Sequence, residues 1–334
     1  MSPIDSGREG VDSMLTDNGR AVEVIGRHVC IGPSRPTCVR TQLGRGDNTR
    51  SLEAIHEGLA HAVKRFRPGS ERTSGRGAVT AGKVTHVAED VFAVRLGRGP
   101  LASNVYLVGS GEDWVLVDTG WAGNHMAIRE AAASVFGPTK PPAAILLTHI
   151  HPDHSGSAGE LARDWQVPVF AHADEVPMAA GKYLPEYSMP LDRWIVDPIL
   201  RLLPAGTRAR IEAGNDITDV VQALPANGEV PGLPDWHVVP APGHTPGHVA
   251  YLRRRDRVVI CGDAVLTVDV NSVIGVLAGR ERLCGPPWYT TWDRQTARES
   301  IAALAALHPR ILAPGHGPAR GVENAALQAL ARDG

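Results

Sequence analysis

The pattern of apolar and polar positions divides the chain near residue 80. Downstream of Val84, short runs rich in β-branched residues alternate with turn residues and predict strands at Val91–Leu96, Asn104–Val108 and Trp114–Val117. A stretch of helical period runs from His125 to Phe136 and is ended by Gly137 and Pro138. Ala143–Leu147 is apolar without interruption, the pattern of a strand buried on both faces. Ser155–Asp164 is predicted as a helix capped by Ser155, and Pro168–Ala171 as a short strand. Further strands are expected at His237–Pro240, Val249–Arg253, Val258–Cys261 and Arg310–Ala313, with a helix near Arg294–Leu307. Strands and helices that alternate, with hairpin-like strand pairs among them, indicate layered α/β packing with at least one mixed sheet.

Residues 1–80 read differently. They are rich in Gly, Arg, Ser and Thr and hold only short apolar runs such as Val22–Ile25. Within Ser51–Phe66, Leu52, Ile55, Leu59, Ala62 and Val63 fall on one helical face. The segment RPGSERTSGRG that follows has the composition of a flexible linker. The expected organisation is a mostly disordered leader with one short helix over 1–80, then a single folded domain over 81–334.

Composition narrows the class without changing this picture. With 334 residues, 43% hydrophobic and 21% charged, the chain has the make-up of an ordinary globular protein. A net charge of -2 gives no electrostatic footprint for nucleic acid or an anionic membrane surface. No run approaches the ~20 apolar residues needed to span a bilayer. The first residues, MSPIDSGREGVDSML, contain acidic positions and no apolar core, unlike a signal peptide. Cys30, Cys38, Cys261 and Cys284 show no CxxC or zinc-finger spacing, and reduced thiols in a cytoplasmic protein are expected.

The chemistry is concentrated in Thr148-His149-Ile150-His151-Pro152-Asp153-His154-Ser155-Gly156, directly after the buried strand. Two His two apart in an extended segment point the same way and can grip one ion, while Asp153 and His154 on the next turn reach a second position. Imidazole and carboxylate suit Zn²⁺ and other borderline divalent metals. For a chain of this composition a chance HxHxDH has odds on the order of 10⁻³. Three more candidates follow apolar strands beside glycine: His244 in APGHTPGH, Asp263 in CGD and His316 in APGHG.

This set of motifs resembles the metallo-beta-lactamase superfamily. The resemblance implies a four-layer αβ/βα sandwich with the metal site at the edge of two mixed sheets. It also implies that His149, His151 and His244 hold one metal, that Asp153, His154 and His316 hold another, and that Asp263 bridges them. Asp118, in Val-Asp-Thr-Gly, matches the family's Asp that supports the metal loop from behind. His248 matches no ligand position and is expected to be a supporting or structural residue. With no Cys ligand and Asp263 present, the set resembles the glyoxalase II, lactonase and general hydrolase branches. It departs from glyoxalase II at Ser157, where that branch has a second Gly.

The expected activity is hydrolysis of a small carboxylic ester, lactone or thioester by a metal-bridged hydroxide, with Asp153 orienting the nucleophile or passing its proton. Two divalent ions, Zn²⁺ first and Fe or Mn as alternatives, are the expected cofactors. Asp174–Asp235 is Pro-rich, contains Tyr183, Tyr187 and Trp194, and is expected to form a cap over the metal cleft. A second wall is expected from Val265–Trp292, with Trp288 and Tyr289, and His172 is a further pocket candidate. The alternatives are an iron-dependent persulfide dioxygenase and a non-catalytic binding protein on the same fold. A small-molecule substrate is the expected partner, with neither nucleic acid nor membrane. Because the leader holds so little apolar sequence, a chain shortened to begin at Gly77 should keep its thermal midpoint and metal content. Precipitation or loss of metal on shortening would show that the leader packs on the domain.

Overall fold

Alternation along the central strands sets the layers of this protein. The computed structural model describes residues 13–15, 21–25, 28–31, 37–40, 82–99, 102–181 and 215–333, together with 184–187, 189–191, 193, 194, 202 and 206. The chain divides into two units, Met1–Thr73 and Ser74–Gly334. In the first, β1 (Ser13–Leu15), β2 (Ala21–Ile25), β3 (His28–Ile31) and β4 (Thr37–Arg40) form an antiparallel sheet in chain order. These strands occupy part of the leader for which the sequence pattern suggested little order. The helix expected over 51–66 lies outside the described residues, as do the side chains of Cys30 and Cys38.

In the second unit, the larger sheet is built from β5 (Lys83–Ala88), β6 (Val91–Leu96), β7 (Ser103–Ser110), β8 (Asp113–Val117), β9 (Ala144–Leu146), β10 (Val169–Ala171) and β11 (Val221–Ala223). Its order is β11-β10-β9-β8-β7-β6-β5. Pairing is antiparallel from β5 to β8 and parallel from β8 to β11. The opposing sheet has the order β12-β13-β14-β17-β18. Its strands are β12 (Trp236–Pro240), β13 (Val249–Arg253), β14 (Val258–Gly262), β17 (Ile311–Pro314) and β18 (Arg320–Gly321), with only β14 and β17 parallel. Between them in the chain, β15 (Leu266–Val268) and β16 (Glu281–Cys284) pair separately.

On β8, Trp114 and Leu116 turn to one face while Val115 and Val117 turn to the other, the two-residue period of a pleated strand. Val115, Val117, Ala144 and Leu146 meet Val249, Tyr251, Val258, Ile260 and Ala313 in the core between the sheets. On the outer face of the larger sheet, Trp114, Leu116 and Ile145 pack against α1 (His125–Phe136) and α3 (Ala158–Trp165). The buried stripe of α1 is Ala127, Ile128, Ala131 and Ala132, small enough to let the helix lie close to the strands. On the outer face of the smaller sheet, Leu252, Val259 and Leu312 pack against Ile301, Leu304 and Ala305 of α5 (Arg294–Ala306) and Leu327 of α6 (Asn324–Asp333). Three cores thus separate four layers, helix–sheet–sheet–helix, as expected. No helix among the described residues is long and apolar enough to cross a membrane.

Downstream of Val84, the strands and helices expected from the pattern are present within a few residues of their expected bounds. One cap is corrected. The helix after the His-rich motif is split into α2 (Pro152–Ser155) and α3, and Ser157 rather than Ser155 precedes the second. Gly156 N donates to Gly120 O at 2.9 Å, which draws the chain out of the helical path. Ser157 Oγ donates to Trp121 O and accepts from Asn124 N, whereas Ser155 Oγ turns back to His151 O. The pattern did not reveal β5, β11, the β15/β16 pair, α4 (Val273–Ala278) or α6. β11, for example, is a three-residue edge strand with no buried residue, so it has no apolar alternation to read.

Leu146 is fully buried between the sheets. Leu146→Ala should destabilise the domain by about 2–5 kcal/mol, read as a lower denaturation midpoint. A loss below about 1 kcal/mol would place the inter-sheet core elsewhere.

Candidate metal centre

The site lies where strands of both sheets end. β8 runs into Asp118, which is 1% exposed and takes φ +60. That left-handed conformation is tolerated by Asp better than by most residues. It turns the carboxylate back under the next strand's loop. Asp118 Oδ1 accepts from Thr148 N at 2.8 Å, and Oδ2 lies 2.9 Å from Thr148 Oγ1 and 2.8 Å from His154 Nδ1. The ring of His154 is thereby oriented with Nε2 pointing away from Asp118, 3.4 Å from Asp263 Oδ1.

β9 leads into His149, which is fully buried. His149 Nδ1 sits 3.0 Å from Thr148 Oγ1 and its Nε2 3.0 Å from His151 Nδ1. His151 is extended, at φ -84 and ψ 152, and Pro152 starts α2, so Asp153 and His154 fall in the next turn. His244 comes from the loop between β12 and β13. Trp292 N donates to His244 O at 3.0 Å and Asp293 N to Gly243 O at 2.8 Å, which fastens this loop to the start of α5. Asp263 follows β14, and its N donates to His248 Nε2 at 3.0 Å. His248 therefore accepts from the backbone of Asp263.

His316 follows β17. Its Nδ1 donates to Ala102 O at 2.8 Å, which leaves Nε2 3.0 Å from Asp153 Oδ2 and 3.4 Å from Asp263 Oδ2. The loop is pinned by Asn104, whose Nδ2 donates to Pro314 O at 2.9 Å and Gly317 O at 2.6 Å. Gly315 has no substitute here, because a Cβ would run into Asp263 Oδ1 and His154 Cε1.

His149, His151 and His244 bring ligand atoms within 4.8 Å of one another, as do His149, His154 and Asp263, and Asp153, His154 and His316. Every residue expected to bind metal is thus in one cluster. The donor set fits divalent cations on two counts. Buried His151 Nε2, His154 Nε2, His244 Nε2 and Asp263 Oδ1 have no hydrogen-bond partner. The facing nitrogens of His149 and His151 also leave one lone pair opposed to another unless a proton or a cation lies between.

Electrostatics divides the histidines. Burial, then the neighbouring His154 and His151, holds His149 well below the usual imidazole value. Burial acts on His316 in the same direction, but Asp263 and Asp153 outweigh it and raise its pKa to about 10. His154 is raised by the same carboxylates against its burial. Asp263 answers in kind: burial pushes it up, and His316 and His154 carry it well below the usual range. Positive charge is therefore favoured beside the carboxylates and opposed among the histidines alone.

A profile of the metallo-beta-lactamase superfamily matches residues 98–316, which contain every residue of the cluster. The chain belongs to the metallo-beta-lactamase superfamily. It is 39% identical over 218 residues to the probable metallo-hydrolase YflN of Bacillus subtilis, a match covering 64% of this chain and 80% of that protein. A metallo-beta-lactamase family protein from Thermus thermophilus superposes with a TM-score of 0.51 over 74% of this chain and 80% of its own, at 21% identity. A beta-lactamase domain protein from Burkholderia ambifaria gives 0.51 over 76% of this chain and 78% of its own, at 24% identity. At such identities the two structures share the fold. Membership makes the chain a metallohydrolase, and the fold implies divalent metal ions in the His/Asp cluster.

The residues expected in the substrate pocket are differently placed. Tyr289 stands near the carboxylates: burial, followed by the charges of Asp263 and Asp153, pushes its hydroxyl up to about 12. Trp288 is half exposed and stacks edge-on against Tyr289 at 5.6 Å. Tyr187 lies in a short turn, Pro185–Tyr187, and the adjoining Glu186 O accepts from Trp292 Nε1 at 3.2 Å. That bond joins the Pro185–Tyr187 turn to Trp292, a residue that the sequence did not single out. Trp194 is 79% exposed. His172 faces its own turn, accepting from Asp174 N at 3.3 Å. Tyr183 lies outside the described residues. Thr148, Asn104, Thr291 and Glu175 also hold the site and were not assigned parts by the sequence, because each acts by contacts with distant segments. Replacing Asp118 by Asn should weaken metal binding by about 10–100-fold, read by competition with a chelator. Unchanged affinity would show that Asp118 does not orient His154.

Proposed function

We propose that this chain is a dinuclear metallohydrolase that cleaves a small carboxylic ester, lactone or thioester. The observation that carries this reading is the convergence of His149, His151, Asp153, His154, His244, Asp263 and His316, with imidazole nitrogens left unpartnered inside the cluster. In this reading His149, His151 and His244 hold one ion, Asp153, His154 and His316 the other, and Asp263 lies between, Oδ1 toward His154 and Oδ2 toward His244 and His316. Such ions, when bound, bring the pKa of water towards neutrality and polarise a carbonyl group, and Zn²⁺ suits this donor set. Asp153 is 18% exposed against 4% for Asp263, so of the two it faces the cleft. In this reading Asp153 orients the attacking water or passes its proton to the leaving group. Asp118 accepts from His154 Nδ1 and so orients that ring, and His248 accepts from the backbone N–H of Asp263. Tyr289, Trp288, Tyr187 and Trp194 would contact the remote part of the substrate.

The test is elemental analysis together with a panel of esters, lactones and thioesters. Reconstituted protein should hold close to two divalent ions per chain, and at most one ion would end the dinuclear reading. Asp263→Ala should lower turnover of every substrate by orders of magnitude and reduce bound metal. Trp194→Ala and Tyr187→Ala should instead re-rank substrates by about 1–3 kcal/mol per contact with metal retained. If Asp263→Ala keeps the parent rates, or if the chain consumes oxygen with a persulfide and hydrolyses nothing, the reading is wrong. If both wall variants leave every substrate ratio untouched, that segment packs and does not select.

A further inference from the structure

Glu175 is a fully buried acidic residue in the turn after β10, outside the proposed ligand set. Its Oε2 accepts from Ile150 N at 2.8 Å and its Oε1 from Gly247 N at 2.8 Å. Ile150 stands between His149 and His151, and Gly247 lies three residues beyond His244. A single carboxylate therefore joins two loops that belong to different sheets, one after β9 and one between β12 and β13. The bases of those loops are tied directly: Val249 N donates to Thr148 O at 2.9 Å and Tyr251 Oη to Leu147 O at 2.8 Å. Glu175 supplies a tie nearer the tips, where the histidines are.

Its own position is fixed by the turn, with Glu175 N donating to His172 O and Met178 N to Glu175 O, both at 2.9 Å. The approach of the second loop is close. A Cβ on Gly247 would lie 3.0 Å from Glu175 Cγ, Glu175 N and His172 Nδ1 alike, so a side chain there would push the carboxylate away. Burial pushes the Glu175 carboxyl above its usual value, while donors at Thr245, Ile150 and Gly247 act against that push. A buried carboxylate is retained in proteins only with partners of this kind.

We propose that Glu175 is a positioning residue for metal binding: it sets the separation of the His149–His151 pair from His244, and so the affinity of the site those three residues form. The Asp153–His154–His316 site is held from other directions, by Asp118 and Ala102, and does not depend on Glu175. This rests on the metallohydrolase reading above. Glu175→Gln keeps the volume but sets an amide N–H₂ against one of the two backbone N–H groups.

The experiment measures zinc affinity of the full chain by competition with a chromophoric chelator, with Glu175→Gln placed in two backgrounds. In His316→Ala, where the three-histidine site remains, it should weaken binding by about 10–100-fold. In His151→Ala, where the other site remains, it should leave binding unchanged. Equal losses in both backgrounds, or none in either, overturn the proposal. A lower unfolding midpoint of metal-free protein with unchanged affinities assigns Glu175 to folding alone and overturns it too. If the parent chain binds no zinc at all, both this proposal and the metallohydrolase reading fall. If it binds two ions and Glu175→Gln changes neither, only the clamp falls.

Discussion

Imidazole rings and carboxylates gathered out of water oppose one another unless protons or cations are shared among them. In this protein several of them are held in that arrangement by partners standing behind them. Asp118 and Thr148 set His154 and His149, Ala102 O sets His316, Thr291 Oγ1 lies 3.4 Å from His244 Nδ1, and His248 holds the backbone of Asp263. For His149, His154, His244 and His316 the partner lies at Nδ1, which turns Nε2 toward the cluster; of these, His154 Nε2 and His244 Nε2 have no hydrogen-bond partner, which suits them to cations.

The sandwich supplies the rigidity that this arrangement needs. Asp118, the His149–His154 motif, Asp263 and His316 each follow the carboxyl end of a strand, the usual place for ligands in α/β sheets. Their strands are fully or almost fully buried, with Val117, Leu146, Ile260 and Ala313 meeting in one core. Moving one sheet against the other would require opening that core. The metal loops therefore share a frame even though they are far apart in sequence, and bonds such as Val249 N to Thr148 O fasten the frame at its edge.

The segment carrying Trp288, Tyr289 and Trp292 is bonded to the His244 loop on one side and to Glu186 on the other. Trp292 and Thr291 link that segment to His244.

Much of this was legible in the sequence. The His-x-His-x-Asp-His motif, the glycines beside His244 and His316, and the uniform apolar runs of β9 and β14 determine local conformation by themselves. Turn glycines, strand ends and ligand chemistry are properties of neighbours in the chain. The outer strands β5 and β11 were not legible, since neither has a fully buried position to mark an apolar face. Nor were the parts of Asn104, Thr291 and Glu175. Glu175 reads in sequence as one more acid in a polar turn, His-Ala-Asp-Glu, and only its burial between Ile150 and Gly247 gives it a partner at each oxygen. The sequence alone determined which residues could bind metal and which strands would carry them. The tertiary structure decided which nitrogen of each ring faces inward and which groups hold the loops apart, because those choices are made by hydrogen bonds between segments that no local pattern connects.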